Sequence, residues 1–320
     1  MTTHRERIQT CLAGEIPDQT PVALWRHFPV DDQAPKTLAA AHIAFQRMYD
    51  FDLVKVTPAS SFCLRDWGAE DEWQGNPEGT RQYTKHVIST PQDWERLPLL
   101  DPTAPHLADQ LACLRQIRAA LGPHVPMLQT VFNPLAQAKN LAGGNALLVH
   151  LRKYPEAVMQ GLQTIAATTR RFIEAAQDSG IDGIFYAVQH AQAALLNEVE
   201  CKQFNQSLDL HILEAAQGLW CNMLHIHGMD IYFDQLAKYP LQIVNWHDRE
   251  TPPSLAEAQR NFAGVLCGGL SRETLVYKTS QEVRVEREDA IQQTGGRRLI
   301  LSTGCVVPVI APHGNIMAAK

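Results

Sequence analysis

Two histidines two residues apart close an apolar run in Leu224-His225-Ile226-His227-Gly228, and one cysteine follows glycine in Leu301-Ser302-Thr303-Gly304-Cys305-Val306-Val307-Pro308. In a β-strand, residues i and i+2 share a face. Both imidazoles of a strand running into His227 therefore point the same way. A thiolate delivered by another strand end completes a three-ligand set, and three protein ligands with an open fourth position are how catalytic zinc is held. Two hydrogen-bonded buried histidines produce the same short pattern, and both readings stand at this point.

Other polar residues gather at the ends of apolar runs. Arg26 ends the first run and either pairs a substrate carboxylate or makes a structural ion pair. Asp52 and Lys55 stand at the second, Asp52 as a catalytic carboxylate or as one that caps a neighbouring loop. Gln189-His190 follow the fourth, at the same mouth or in an exposed loop. Trp246-His247-Asp248-Arg249 follow the sixth. There Trp246 is a candidate substrate contact, while His247 and Asp248 form an acid/base pair or a surface charge cluster.

These side chains need a scaffold that collects strand ends. The chain alternates short β-rich runs with longer helical patterns. The candidate strands are Val22–Arg26, Leu53–Thr57, Val125–Val131, Gly183–Ala187, Asn222–Ile226, Ile243–Trp246, Gly264–Leu266 and Arg298–Leu301. Between them the periodicity predicts helices over Thr37–Met48, His106–Leu121, Pro155–Asp178, Asn197–Leu219, Ser254–Asn261 and Ser280–Gln293. Eight strands alternating with helices predict a single (β/α)₈ barrel over residues 1–320. No Gly-x-Gly-x-x-Gly follows the first strand, which removes support from a nucleotide-binding open sheet. Trp67–Val87 breaks the alternation around Asn76-Pro77-Glu78-Gly79, a turn sequence, and reads as a hairpin inserted near the barrel mouth. Since barrel active sites lie at the C-terminal strand ends, the fifth and eighth strands would carry His225, His227 and Cys305 to one mouth.

Composition narrows the partners. A formal charge of −6 and the absence of a Lys/Arg run argue against nucleic acid and anionic membranes. No stretch of about 18 apolar residues is present, so no membrane span is expected, and no apolar segment follows the N-terminal Met1-Thr2-Thr3-His4 to suggest a secretory signal. Seven scattered cysteines in a chain of 320 residues read as reduced thiols, which fits a cytoplasmic setting.

The ordered motifs carry a family resemblance. Pro21-Val22-Ala23-Leu24-Trp25-Arg26, Asp50-Phe51-Asp52-Leu53-Val54-Lys55-Val56, Phe132-Asn133-Pro134-Leu135 and Ala142-Gly143-Gly144 are followed by Gly180-Ile181-Asp182-Gly183-Ile184, Leu224-His225-Ile226-His227-Gly228, Val244-Asn245-Trp246, Gly268-Gly269-Leu270 and Ser302-Thr303-Gly304-Cys305. Over nearly its whole length the chain resembles the uroporphyrinogen decarboxylase superfamily, in particular its zinc-dependent methyltransferases, which move methyl groups between corrinoid proteins and thiols such as coenzyme M. The resemblance implies a (β/α)₈ barrel and zinc held by His225, His227 and Cys305. It also implies a small-molecule thiol or tetrapyrrole substrate, a corrinoid methyl donor on a partner protein, substrate contacts near Gln189 and His190, and a possible homodimer. Asp52 matches an aspartate of the superfamily, and Trp67 and Trp73 would wall a corrin ring or simply pack. A final helix that relatives carry further is implied from Asn315 on.

Two departures from the family pattern bear on function. Where decarboxylases carry a segment like Arg-Gln-Ala-Gly-Arg, this chain reads Arg26-His27-Phe28-Pro29, with one arginine. Clamping several carboxylates calls for bidentate arginines, which counts against decarboxylation. Methyltransferases carry His-x-Cys where this chain has His225-x-His227, so a His₂Cys site holds one negative charge fewer. Such a site suits zinc and ionises a bound thiol more readily, yet leaves the thiolate less nucleophilic. Metal-free decarboxylation of uroporphyrinogen and non-catalytic tetrapyrrole binding are the alternatives.

Overall fold

In the computed structural model, which describes residues 2–320, nine strands are present: β1 Val54–Val56, β2 Glu70–Glu72, β3 Gln82–Lys85, β4 Met127–Phe132, β5 Gly183–Val188, β6 Met223–Ile226, β7 Ile243–Trp246, β8 Val265–Leu270 and β9 Leu299–Thr303. Seven build one parallel sheet in the order β1-β4-β5-β6-β7-β8-β9, curled and covered by helices. Each junction between neighbours runs through at least one helix, as parallel pairing requires. No described helix is long and apolar enough to cross a membrane.

The sheet has seven strands, not the expected eight. Val22–Arg26 forms no ladder. It makes one parallel bridge, Val22 to Leu301. The Ala23 N–H donates to the Leu301 carbonyl at 2.9 Å and the Leu301 N–H to that of Pro21 at 2.8 Å. On its other side the Val22 carbonyl accepts from the Asp52 N–H at 2.8 Å. The segment thus sits between the edge strands β9 and β1, touching each at a single point. Proline at position 21 has no N–H to extend the pairing.

Boundaries moved for local reasons. Pro126 delays β4 to Met127. Strand β8 runs past the expected end at Leu266 through Gly268 and Gly269 to Leu270, because Gly268 pairs with Leu301 and Gly269 with Ser302. The expected helix Asn197–Leu219 is broken into Glu198–Cys201, a π-helical Lys202–Gln206, Ser207–Leu213 and a 3₁₀ turn. A buried polar knot accompanies the break. The Asp209 carboxylate accepts from Tyr186 at 2.6 Å and Tyr239 at 2.9 Å, and Asn133 donates to Asn205 at 2.8 Å. Two helices went unread after β4, Pro134–Ala142 and Gly144–Lys153.

Strand periodicity sorts side chains into two cores. Leu53, Leu128, Phe185, Met223, Ile243 and Ile300 meet inside the sheet's curve. The residues next to them, such as Val54, Ile184, Leu224, Val244 and Leu301, pack outward under the helices. Strands β2 and β3 pair antiparallel within the range read as a hairpin. The turn between them reaches the rim, where Pro77 accepts from the Val309 N–H at 2.7 Å and Glu78 pairs with Arg272 at 2.6 Å.

Candidate metal centre and cavity

The inward register of β6 carries Met223 and then His225 into the interior, with His227 one step beyond the strand end. Strand β7 does the same with Ile243 and Asn245, followed by His247. Cys305 arrives from the turn after β9. Glycine at 304 permits that approach: a Cβ there would lie 2.5 Å from His247 Cα and 2.6 Å from the Trp246 carbonyl oxygen. His225, His227, His247 and Cys305 each offer one donor atom, all within 4.8 Å of one another. Cys305 Sγ is 4.0 Å from His227 Nδ1, and His247 Nε2 is 3.3 Å from the same nitrogen.

The surroundings set the tautomers. The Asn245 amide nitrogen donates to the Cys267 carbonyl at 2.8 Å and to the Thr303 carbonyl at 3.1 Å. Its oxygen therefore faces His225 Nδ1, 2.6 Å away, so Nδ1 must carry the proton and Nε2 keeps its lone pair. His247 Nδ1 meets the Glu250 carboxylate at 3.2 Å, which leaves Nε2 free in the same way. Glu250 is in turn held by Arg272 at 3.2 Å. Backing a ligand histidine with an amide oxygen or carboxylate is the usual support of a metal site. Burial, with His227 and His247 adding, pushes His225 well below its ordinary range, and burial lowers His227 too, which favours the neutral form that can bind a metal. The donors fit a first-row metal. Tetrahedral zinc with bonds of roughly 2.0–2.3 Å needs donors about 3.5 Å apart, a small contraction of this cluster.

The cluster opens on a cavity of about 470 Å³. Lys55, Thr130, Phe132, Phe185 and Ala187 line it from the strands, Trp25 from the segment between the edge strands, Lys139 and Asn140 from the helix after β4, and Gln189, His190 and Gln192 from the loop after β5. Glu78, Arg81 and Tyr83 of the hairpin close one side. Burial drives the Lys55 amine down to about 7, and it rests 4.5 Å from the Phe185 ring centre.

The structure brings some of the candidate residues together and keeps others apart. His225, His227 and Cys305 are brought together, and Lys55, Gln189 and His190 line the cavity. Asp52 does not. It precedes β1 at the opposite end of the sheet and is tied to Arg7 at 2.5 Å, His4 at 3.0 Å and the Val22 N–H at 2.8 Å. That is the capping role rather than the catalytic one. Arg26, Trp246 and Asp248 have the outward parity. Arg26 lies 5.3 Å from the Phe28 ring centre, outside the cavity. Trp246 is fully buried and donates to the Pro253 carbonyl at 2.9 Å. Asp248 accepts from the Gly269 N–H at 3.0 Å, so no His247–Asp248 pair forms. Trp67 donates to Pro98 at 2.8 Å and Trp73 to Asn76 at 3.1 Å, and neither reaches the cavity. Missed were His247 as a donor, Asn245 as its neighbour's anchor, and Lys139. Counting in twos along β7 from the apolar Ile243 would have found the first two.

Comparison with known proteins bears on the fold and the family. The structure superposes on a methyltransferase from Methanosarcina mazei with a TM-score of 0.87 at 19% identity, covering 100% of this chain and 97% of that one. It superposes on a B12-independent methionine synthase from Shewanella sp. W3-18-1, solved in complex with selenomethionine, with a TM-score of 0.61 at 14% identity, covering 95% and 92%. A search of curated protein sequences returned no match. The family model described as uroporphyrinogen decarboxylase (URO-D) matches residues 3–319. With that match spanning almost every residue, the chain belongs to the uroporphyrinogen decarboxylase family.

Proposed function

We propose that the protein is a methyltransferase whose cluster holds zinc and presents a small-molecule thiol to a methyl donor. The observation that carries this reading is the convergence of His225, His227, His247 and Cys305 on one point at the cavity wall. When bound there, zinc supplies Lewis acidity that favours ionisation of a thiol. Three neutral imidazoles and one thiolate leave the centre more cationic than a two-thiolate site, which favours ionisation further. His247 stands where it can complete the set or yield its place to the incoming sulfur.

The protein's own groups do the rest. Asn245 and Glu250 keep two rings in their ligating tautomers. Phe185, stacked 5.0 Å from His225, and Trp25 keep water from the inner wall. In the reaction the thiol gives its proton to solvent and the sulfur lone pair forms the new S–CH₃ bond. The bond from methyl to donor breaks with its electron pair staying on the donor. A corrinoid, free or carried by a partner protein, is a donor that can retain that pair.

Uroporphyrinogen decarboxylation draws on family membership. Its need for free arginines is poorly met, because Arg26 lies outside the cavity and Arg81 is committed to Asp32 and Asp71 at 3.3 and 3.2 Å.

The test is metal analysis of protein expressed with zinc, followed by methylcobalamin-dependent methylation of a thiol panel. About one equivalent of zinc is expected, lost in the H225A/H227A/C305A variant. Less than about a tenth of an equivalent, or turnover of uroporphyrinogen by metal-free protein, would overturn the proposal.

A further inference from the structure

Lys55 stands on the inner face of β1, two residues beyond the apolar Leu53. It is 6% exposed and lines the cavity. Its Nζ lies 4.5 Å from the Phe185 ring centre and 6.0 Å from that of Trp25. The groups near it supply no carboxylate to match an ammonium. His27 and His42, from the segment before β1 and the helix Pro35–Tyr49, are close enough to feel its charge, and burial lowers both rings to about 3. His225, stacked 5.0 Å from Phe185, is held neutral by the same cause. Thr130 spends its hydroxyl on the Val56 carbonyl and Thr57 on the carbonyl of Lys55 itself. Burial is the larger influence on the amine, and the Cys305 thiol is the one group that opposes it.

An amine so placed is uncharged in a large fraction of molecules near neutral pH. A neutral lysine in an apolar pocket is a nucleophile toward carbonyl carbon, and barrel strand ends are where such groups meet their ligands. The cavity, about 470 Å³, lies in the size range of small-molecule sites. We propose that Lys55 binds a small aldehyde or ketone covalently, as a reversible imine, at the cavity wall. The amine lone pair adds to the carbonyl carbon, and the π pair of C=O moves to oxygen. The oxygen leaves as water with the two protons that nitrogen gives up, and C=N replaces C=O. Nothing is oxidised or reduced, and water reverses the step. When the imine nitrogen takes up a proton, the faces of Phe185 and Trp25 receive the cation. The step needs no metal, so the site is a second activity of the cavity beside the proposed methyl transfer.

The test uses the full chain, metal-free and zinc-treated, with propanal at pH 7 and cyanoborohydride, which reduces an imine to a stable secondary amine. Peptide mapping by mass spectrometry gives the rate at each lysine. Lys55 is expected to react about tenfold or more faster than the exposed Lys36 and Lys238. Its rate should saturate with propanal, while theirs rises linearly. Below pH 7 the Lys55 rate should fall, whereas the rates at the exposed lysines should already fall below about pH 10. Because wild-type protein carries the measurement, no variant has to fold. Reaction at Lys55 no faster than at Lys36 and Lys238 overturns the site, and so does preferential reaction at Lys139. Selective labelling of Lys55 in protein that takes up no zinc upholds the site and leaves the methyl-transfer reading to its own test.

Discussion

His225 shows how much of the proposed metal site lies outside its ligands. Its ring is fixed by one amide, and that amide is fixed by two carbonyls on β8 and β9. Asn245→Ala should weaken zinc binding by roughly 10–100-fold, read by competition with a chromophoric chelator. Asp248→Asn should leave that affinity within about twofold, since its carboxylate faces Gly269 rather than His247. Equal losses in the two variants would mean that the tautomer argument is wrong. Asp52 makes the opposite point. Asp52→Ala leaves the Arg7 guanidinium with only the partly exposed Asp18 and frees the Val22 N–H. Unfolding free energy should drop by about 3 kcal/mol in urea titrations, with zinc content unchanged.

At the scale of elements, the hairpin β2–β3 and the cluster are joined by a chain of contacts. Glu78 on the hairpin turn pairs with Arg272, which pairs with Glu250, which holds His247. Hairpin strands are mostly exposed and polar, so little apolar burial fixes their position, and such segments open first. Arg272→Ala should raise amide hydrogen exchange across residues 70–85 and also weaken zinc binding, whereas Glu78→Gln should raise exchange with a smaller effect on metal. Hydrogen exchange followed by mass spectrometry, alongside the chelator assay, separates the two. A loosened hairpin with wild-type metal affinity in Arg272→Ala would show that the contacts do not transmit. Element boundaries were legible at the helices read as Ser254–Asn261 and Ser280–Gln293, which the structure caps with Ser254 and Thr279. They were illegible where tertiary contacts override, as in the π-helical turn above Asp209.

For the molecule as a whole, buried titratable groups shape stability against pH in opposing ways. Burial raises the Asp209 carboxyl to about 7, with the hydroxyls of Tyr186 and Tyr239 and the Asn133 amide opposing. A carboxyl raised above its unfolded value, about 4, gives stability that is fully present below that value and fades as pH rises through 7. Histidines 27, 42 and 190 are lowered by burial to about 3, 3 and 4, so they oppose it, removing stability as pH falls below about 6.5. The difference between wild-type and Asp209→Asn unfolding curves isolates the carboxyl. The variant should gain relative stability between pH 4.5 and 7.5, and a flat difference would place the folded-state pKa near its ordinary value.

What the linear chain determined was the alternation of strand and helix, the parity of side chains along each strand, and hence the pairing of His225 with His227. Those are local properties, dictated by period and by the stops that Gly and Pro impose. Parity also held the corrections: Arg26, Trp246 and Asp248 sit one residue out of step with Trp25, Asn245 and His247, so they face the helices. What only the tertiary structure decided was which distant groups meet. His247 joins the cluster because β6 and β7 are neighbours in register, and Cys305 because Gly304 lets two strand ends close to within a backbone's thickness. The first strand's pairing failed, and Asp52 was claimed by the N-terminal helix, for the same reason: such contacts depend on where the curled sheet brings its edges, which is a property of the closed chain and not of any stretch of it.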